Sequence, residues 1–403
     1  MKDQPSQTKK LLLIIGIMFV AFNLRPAITG VGPLLRFIRT DLGISYGAAG
    51  FITTLPLISF AVFSFVAPKL GNRFGYERMV FVGLVTLMIG ITIRIIATAP
   101  ALYTGTALVG VGIAISNVLL PGIIKDRYPG RIGLMTAVYT TSMSVFSAVG
   151  SGLSIPLAKG LGLGWEMALF SWVLLALIAA LLWIPQLSRP VKKEDKQTAG
   201  LTGPPIWKSK IAWQVTIFMG LQSFLFYTLI TWLPEIMTGK GLGVAAAGLM
   251  VSTMQLSGLP MTFLTPVLAD RSRNQQGLII MIGTLYLTGL TGMLVSTSTG
   301  WLTGSVMLMG MGQASSISLA LTLLGLRAAN ARESAALSGM AQSFGYALAA
   351  IGPILIGIIL DLTATVITPI VIFIGILVVM IAAGMGAARN QTVFAAVKEG
   401  QGR

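Results

Sequence analysis

Twelve stretches of this chain are apolar for long enough to cross a lipid bilayer, and that property decides what it can fold into. A hydrocarbon core about 30 Å thick takes roughly 20 helical residues. Stretches at 11–35, 46–68, 79–98, 101–124, 131–158, 165–186, 211–236, 244–269, 277–297, 299–326, 334–360 and 365–388 each meet that length. The ninth and tenth are divided only by the short turn Ser296 to Gly300. Backbone polar groups in hydrocarbon must find partners within the protein, so such spans are helices. Hydrophobic residues are 55% of the 403 and charged residues 10%, in blocks no soluble globular chain carries. The sequence predicts an all-α polytopic membrane protein.

The net charge of +16 would suggest nucleic acid in a soluble protein. Here its distribution gives a topological reason instead. With an even number of spans both ends lie on one side, which collects 22 of the Lys and Arg; the other side keeps Arg36, Arg39, Lys159 and Lys240, with Arg25 and Arg94 inside spans. The positive-inside rule then places both termini in the cytoplasm, in the plasma membrane, with the lipid bilayer and not nucleic acid as partner. Met1 to Lys10 runs straight into a full span, as a signal anchor does. Cysteine and histidine are absent, so neither a disulfide, a thiolate metal site nor an imidazole relay is expected, and no metal or cofactor.

The one long polar interruption, Gln186 to Lys210, contains Lys192-Lys193-Glu194-Asp195-Lys196 and Pro204-Pro205 and divides the spans six and six. The expected domains are a six-helix bundle at 1–186, a cytoplasmic linker at 187–210 and a second six-helix bundle at 211–403. Internal repetition supports this: Pro68-Lys69-Leu70-Gly71-Asn72-Arg73 recurs 198 residues later as Pro266-Val267-Leu268-Ala269-Asp270-Arg271, and spans one and seven both end in proline, Pro33 and Pro234. Parallel repeats of this kind are a transporter architecture.

Pro68 to Arg78 resembles the loop signature of the major facilitator superfamily, Gly-x-Leu-Ala-Asp-Arg-x-Gly-Arg-Lys. Asn72, Arg73 and Gly75 stand for its Asp-Arg-x-Gly portion, Arg78 follows, and Asp270-Arg271 is the echo. Pro68 and Asn72 depart from the leading glycine and the aspartate. Within the superfamily, Asn23-Leu24-Arg25-Pro26-Ala27-Ile28-Thr29, Gly112 to Pro121, Gly220 to Pro234 and Ser338 to Tyr346 resemble the cyanate and 2-nitroimidazole transporter branch. The resemblance implies two pseudo-symmetric six-helix bundles, transport by alternating access, and those two solutes as substrate examples.

Arg25 is the first site candidate, because an arginine at mid-depth costs roughly 2.5–3.5 kcal/mol on insertion scales and normally faces a partner or a wet cavity. Pro26 removes a backbone donor and disfavours helix at Arg25, so span one should kink or unwind there. Asn23 reaches the same cavity as Arg25 only if that helix is distorted. The guanidinium fork suits an anionic or polar planar solute; the competing reading is an interhelical clamp. No carboxylate falls near the midplane, since Glu166, Glu235 and Asp361 lie near the outer ends of their spans. Arg94, about four residues from a span end, is expected to snorkel to the interface.

Few other polar groups fall at mid-depth, among them Gln255 and Gln313. Gln342 and Tyr346 share a helical stripe with Ser338, as Ser223 and Tyr227 share one in span seven. The expected substrate-binding set is Asn23, Arg25, Asn117 and Tyr139 in the first half, with Gln222, Ser223, Tyr227, Gln313, Gln342 and Tyr346 in the second. Each buried amide has a competing role as helix–helix glue. Gly105, Gly110, Gly112, Gly304, Gly310 and Gly312 read as close-packing positions, not nucleotide loops.

The leading expectation is a monomeric secondary active or facilitative transporter of a small anion or polar planar solute. The alternatives are a multidrug exporter of the same superfamily and a membrane receptor that does not transport. Proton coupling stays open, through the substrate itself or through Glu235 or Asp361. An intramembrane enzyme lacks any nucleophile and base to assemble.

Overall fold

The computed structural model describes residues 7–128, 132–187, 206–328 and 331–393. Most of the linker expected at 187–210 lies outside them, at 188–205, as do Arg131, Arg189, Lys192, Lys193 and Lys196. Among the described residues the secondary structure is helical, and twelve helices or helix pairs are long and apolar enough to cross a membrane, from Leu11–Thr29 to Ile367–Ala387. The turn expected between spans nine and ten falls between Val295 and Thr299.

In the first compact unit, Met1–Ile44 with Ile58–Glu194, span one is not one helix. It runs as α1 (Gln7–Asn23), a single turn α2 (Pro26–Thr29) and α3 (Val31–Leu42). The chain then continues as α4 (Tyr46–Phe74), α5 (Tyr76–Ile93), α6 (Ala99–Arg127), α7 (Ile132–Ile155), α8 (Gly164–Phe170) and α9 (Trp172–Trp183). The pair α5 and α6 touches backbone to backbone: a Cβ on Gly90 would lie 2.6 Å from the carbonyl oxygen of Gly105. Without a hydrophobic drive between helices in lipid, such close approach supplies the packing energy.

The second unit joins Asp195–Arg403 to Ser45–Leu57, the first three turns of α4. Its helices are α10 (Lys210–Gly239), α11 (Val244–Arg271), α12 (Gln276–Val295), α13 (Thr299–Leu326), α14 (Ala331–Thr363) and α15 (Ile367–Ala387). The sequence-based division placed all of span two in the first bundle. The start of α4 groups otherwise because its groups are satisfied by α10 and α14. Tyr46 N–H and Gly47 N–H donate to the two carboxylate oxygens of Asp361 at 3.0 and 2.8 Å, filling orphan donors at the positive end of a helix. Tyr46 Oη donates to Glu235 Oε1 at 2.8 Å, and Thr54 Oγ1 to the carbonyl of Ala350 at 2.8 Å. Glu235 and Asp361 thus serve as a hydroxyl acceptor and a helix cap.

The repeat persists in the packing. A Cβ on Gly289 of α12 would meet Ser305 O at 2.6 Å and Met309 N at 2.8 Å, as Gly90 meets Gly105 O at 2.6 Å and Val109 N at 2.7 Å. Gly112, Gly310 and Gly312 also lie against neighbouring helices, whereas Gly304 has nothing within 4 Å and is not a packing glycine.

Candidate functional site

Arg25 stands at the break in span one. Its backbone, at φ −128 and ψ −44, is not helical, and it caps α2 with Pro26 at the first position. The helix stops at Asn23 and resumes at Pro26, where the missing proline donor and the restriction on the preceding residue put the fault. Its carbonyl accepts from Ile28 N–H and Thr29 N–H, both at 2.9 Å.

A ladder of hydroxyl bonds between α7 and the residues Thr29 and Gly30 takes up the disrupted turn. Thr29 Oγ1 donates to the carbonyl of Ser147 at 2.9 Å, Ser151 Oγ donates to that of Thr29 at 3.1 Å, and Ser154 Oγ to that of Gly30 at 2.8 Å. Gly150 makes the approach possible, since a Cβ there would lie 2.7 Å from Pro26 Cα. The ladder was missed from sequence although its two serine hydroxyls, Ser151 and Ser154, share one helical stripe. Also missed was Arg94, which does not snorkel. It is 1% exposed and turns inward, its Nε donating to Thr106 Oγ1 at 3.0 Å and its Nη1 to the carbonyl of Ala27 at 2.8 Å. Two acceptors inside the bundle outweigh a reach to the interface, and desolvating an unpaired guanidinium would be costly.

Asn23 is buried and its amide nitrogen donates to the carbonyls of Phe19 at 2.7 Å and, on α9, Leu175 at 3.2 Å. Its amide hydrogens act as an interhelical clamp. Tyr139 Oη on α7 donates to Asn117 Oδ1 on α6, bringing these two candidates into one pair. Phe22 stacks on Phe146 with centroids 4.0 Å apart, adding a flat apolar wall next to the break.

In the second unit α10 is continuous and every residue from Phe218 to Pro234 is buried. Gln222 is fully buried; its Nε2 donates to Ser223 Oγ at 2.7 Å while its Oε1 has no partner among the described residues. Tyr227 and Tyr346 meet edge to face, centroids 6.5 Å apart, joining α10 to α14. Gln342 Nε2 donates to Ser338 Oγ at 2.8 Å along the expected stripe. Gln313 is buried on α13.

The loop-motif residues lie at the end of the units rich in Lys and Arg. Gly75 has φ +96, which only glycine adopts without strain, and the following Tyr76 ring packs against Gly71 and Gly122. Arg73 and Arg78 are exposed, Arg73 lying 5.1 Å from the Phe74 ring centroid; the side chain of Asn72 lies outside the description. Asp270 and Arg271 are exposed at the end of α11. Next to these loops each unit has an arginine clasp. Arg127 pairs with Glu77, whose carbonyl accepts from Trp183 Nε1 at 2.9 Å. Two hundred residues on, Arg327 donates to Gln275 Oε1 and to the carbonyls of Ala387 at 2.7 Å and Ala388 at 3.1 Å.

A broken, arginine-bearing span in a helical unit whose packing is repeated in the next is the build of a secondary transporter. The chain belongs to the Major Facilitator Superfamily, whose family model matches residues 12–353, and it is a multi-pass membrane transporter. It is 54% identical over 96% of both chains to an uncharacterized transporter, YycB, of Bacillus subtilis (strain 168). It is 38% identical to the 2-nitroimidazole transporter of Escherichia coli (strain K12), covering 88% of this chain and 90% of that one. The cyanate transport protein CynX of the same strain is 26% identical over 70% of this chain and 72% of its own. These place the chain in the cyanate and nitroimidazole branch. A solved D-xylose-proton symporter shares the fold, with a TM-score of 0.75 at 15% identity over 96% of this chain and all of that one.

Proposed function

We propose that this transporter carries a small anion or polar planar solute, of the cyanate or 2-nitroimidazole class, across the plasma membrane by alternating access, with Arg25 as its principal ligand. The observation that carries the reading is the coincidence of a helix break with the arginine: α1 is unbroken from Gln7 to Asn23, and the helix gives way at Leu24 and Arg25 before α2 begins at Pro26. A guanidinium offers paired donors to a flat anion or a nitro group. Asn117 and Tyr139 are the polar pair of the same unit. Within the second unit, the candidate hydrogen-bonding groups are Gln222, Ser223, Gln313 and Gln342, and the Tyr227–Tyr346 pair is an aromatic face suited to a planar ring. The basic ends of the units lie in the cytoplasm with both termini, and one chain is the functional unit.

Purified protein in liposomes should take up labelled cyanate or 2-nitroimidazole saturably, and the same solute should raise its melting temperature in detergent. Protein that neither binds nor moves either compound overturns the substrate class. Flux independent of pH, with no accumulation under an imposed proton gradient, removes proton symport.

Gln222 offers a second check. Leaving a buried amide oxygen without a donor costs about 1–3 kcal/mol, a cost the solute removes if it donates there. Gln222→Met should therefore melt at or above the wild-type temperature while binding 2-nitroimidazole about tenfold more weakly. Unchanged binding takes Gln222 out of the substrate set.

A further inference from the structure

We infer that Arg94 is the positioning residue of the Arg25 site: from the C-terminal cap of α5 it bolts down the turn that follows the break and so fixes where Arg25 points. The inference rests on the reading of Arg25 as a ligand, and extends it to a residue that does not touch the solute.

Three features of Arg94 carry this. It is fully enclosed, yet among the described residues it meets no carboxylate, and its Nη2 has no hydrogen-bond partner. A cation held in that way is expensive, so something other than packing keeps it. Its Nη1 reaches the carbonyl of Ala27, two residues beyond Arg25 in the single turn α2. With the serine ladder of α7 holding Thr29 and Gly30 from another helix, α2 is fixed by two neighbours. The room for the side chain is made by Gly105, where a Cβ would lie 2.9 Å from Arg94 Cγ.

The repeat supplies an internal control. Gly90 against Gly105 and Val109 corresponds to Gly289 against Ser305 and Met309, an offset of 199 residues on the first helix and 200 on the second. The same offsets carry Arg94 to Met293 and Thr106 to Val306, both fully buried. The second unit therefore closes the equivalent helix pair with apolar side chains, and the fold does not require a charge there. What differs is the neighbouring span. The second unit has the continuous α10 where the first has the broken α1 and α2. The arginine accompanies the break.

The absence of native cysteine permits a direct test, because a single cysteine can report on one position. Arg94→Met, the side chain the repeat uses, and Arg94→Lys, which keeps the charge but not the fork, are compared for melting temperature, solute affinity and maximal flux. In parallel, Arg25→Cys with and without Arg94→Met is labelled by a methanethiosulfonate reagent in liposomes. A positioning role predicts a folded Arg94→Met with affinity at least about tenfold weaker, partial rescue by Arg94→Lys, and a several-fold change in the labelling rate at position 25. Unchanged affinity and labelling in a folded Arg94→Met overturns the inference. If Arg94→Met does not fold, Arg94→Lys decides by the same two readouts. If wild type binds neither solute, the substrate reading fails while the labelling rate still decides the role of Arg94.

Discussion

Arg25→Gln is expected to abolish solute-dependent stabilisation and saturable uptake while leaving the protein folded. Removing one partner of a buried hydrogen-bonded charge pair typically costs about 2–5 kcal/mol, roughly 30-fold to several-thousand-fold in affinity. Folding should survive because Pro26, not the guanidinium, sets the break, and because the carbonyl of residue 25 keeps its bonds from Ile28 and Thr29 whatever the side chain. Arg25→Lys should recover part of the binding, since a lysine supplies charge without the planar fork. Melting temperature, solute-induced shift and uptake in liposomes separate these cases. Normal uptake by a folded Arg25→Gln would make Arg25 an interhelical clamp.

Gly150→Val should be as damaging by another route. The new Cβ would fall 2.7 Å from Pro26 Cα and 3.0 Å from Thr29 Oγ1. The nearest atom is backbone, so no rotamer relieves the clash. Overpacking costs about 1–3 kcal/mol, and separating α2 from α7 also strands the hydroxyl and carbonyls of the serine ladder, at about 1–3 kcal/mol for each buried group left unsatisfied. A large drop in melting temperature with loss of uptake is the expected result. Gly304→Ala, where nothing lies within 4 Å, should behave as wild type. Wild-type melting and uptake in Gly150→Val would show that α2 and α7 do not need their close approach.

The spans and the break were legible because each has a local cause. Length and hydropathy mark a helix in lipid, and proline acts on its own residue and the one before it. The stripe of Ser338 and Gln342 was legible for the same reason, being two positions on one helix. Partners on different helices were not. Asn23 shares the distorted segment with Arg25, but its amide hydrogens go to Phe19 and Leu175, the latter 152 residues away. The distance of Arg94 from a span end suggested an outward reach, and nothing local announced the carbonyl of Ala27 or the hydroxyl of Thr106. The pairing of Tyr227 with Tyr346 depends on the docking of α10 on α14. The hydrogen bonds of Glu235 and Asp361 to the first turn of α4 were not legible either, because that turn is remote from both in sequence.

The serine ladder has a consequence for synthesis. The bond from Thr29 to Ser147 joins residues 118 apart. At about 5–20 residues per second, span one waits roughly 6–24 s for the helix that completes it. During that interval its arginine and its interrupted backbone need water, lipid headgroups or the insertion machinery as stand-in partners. The first span made thus settles only after the fifth has emerged, and chains cut short before span five should stay held at the insertion site.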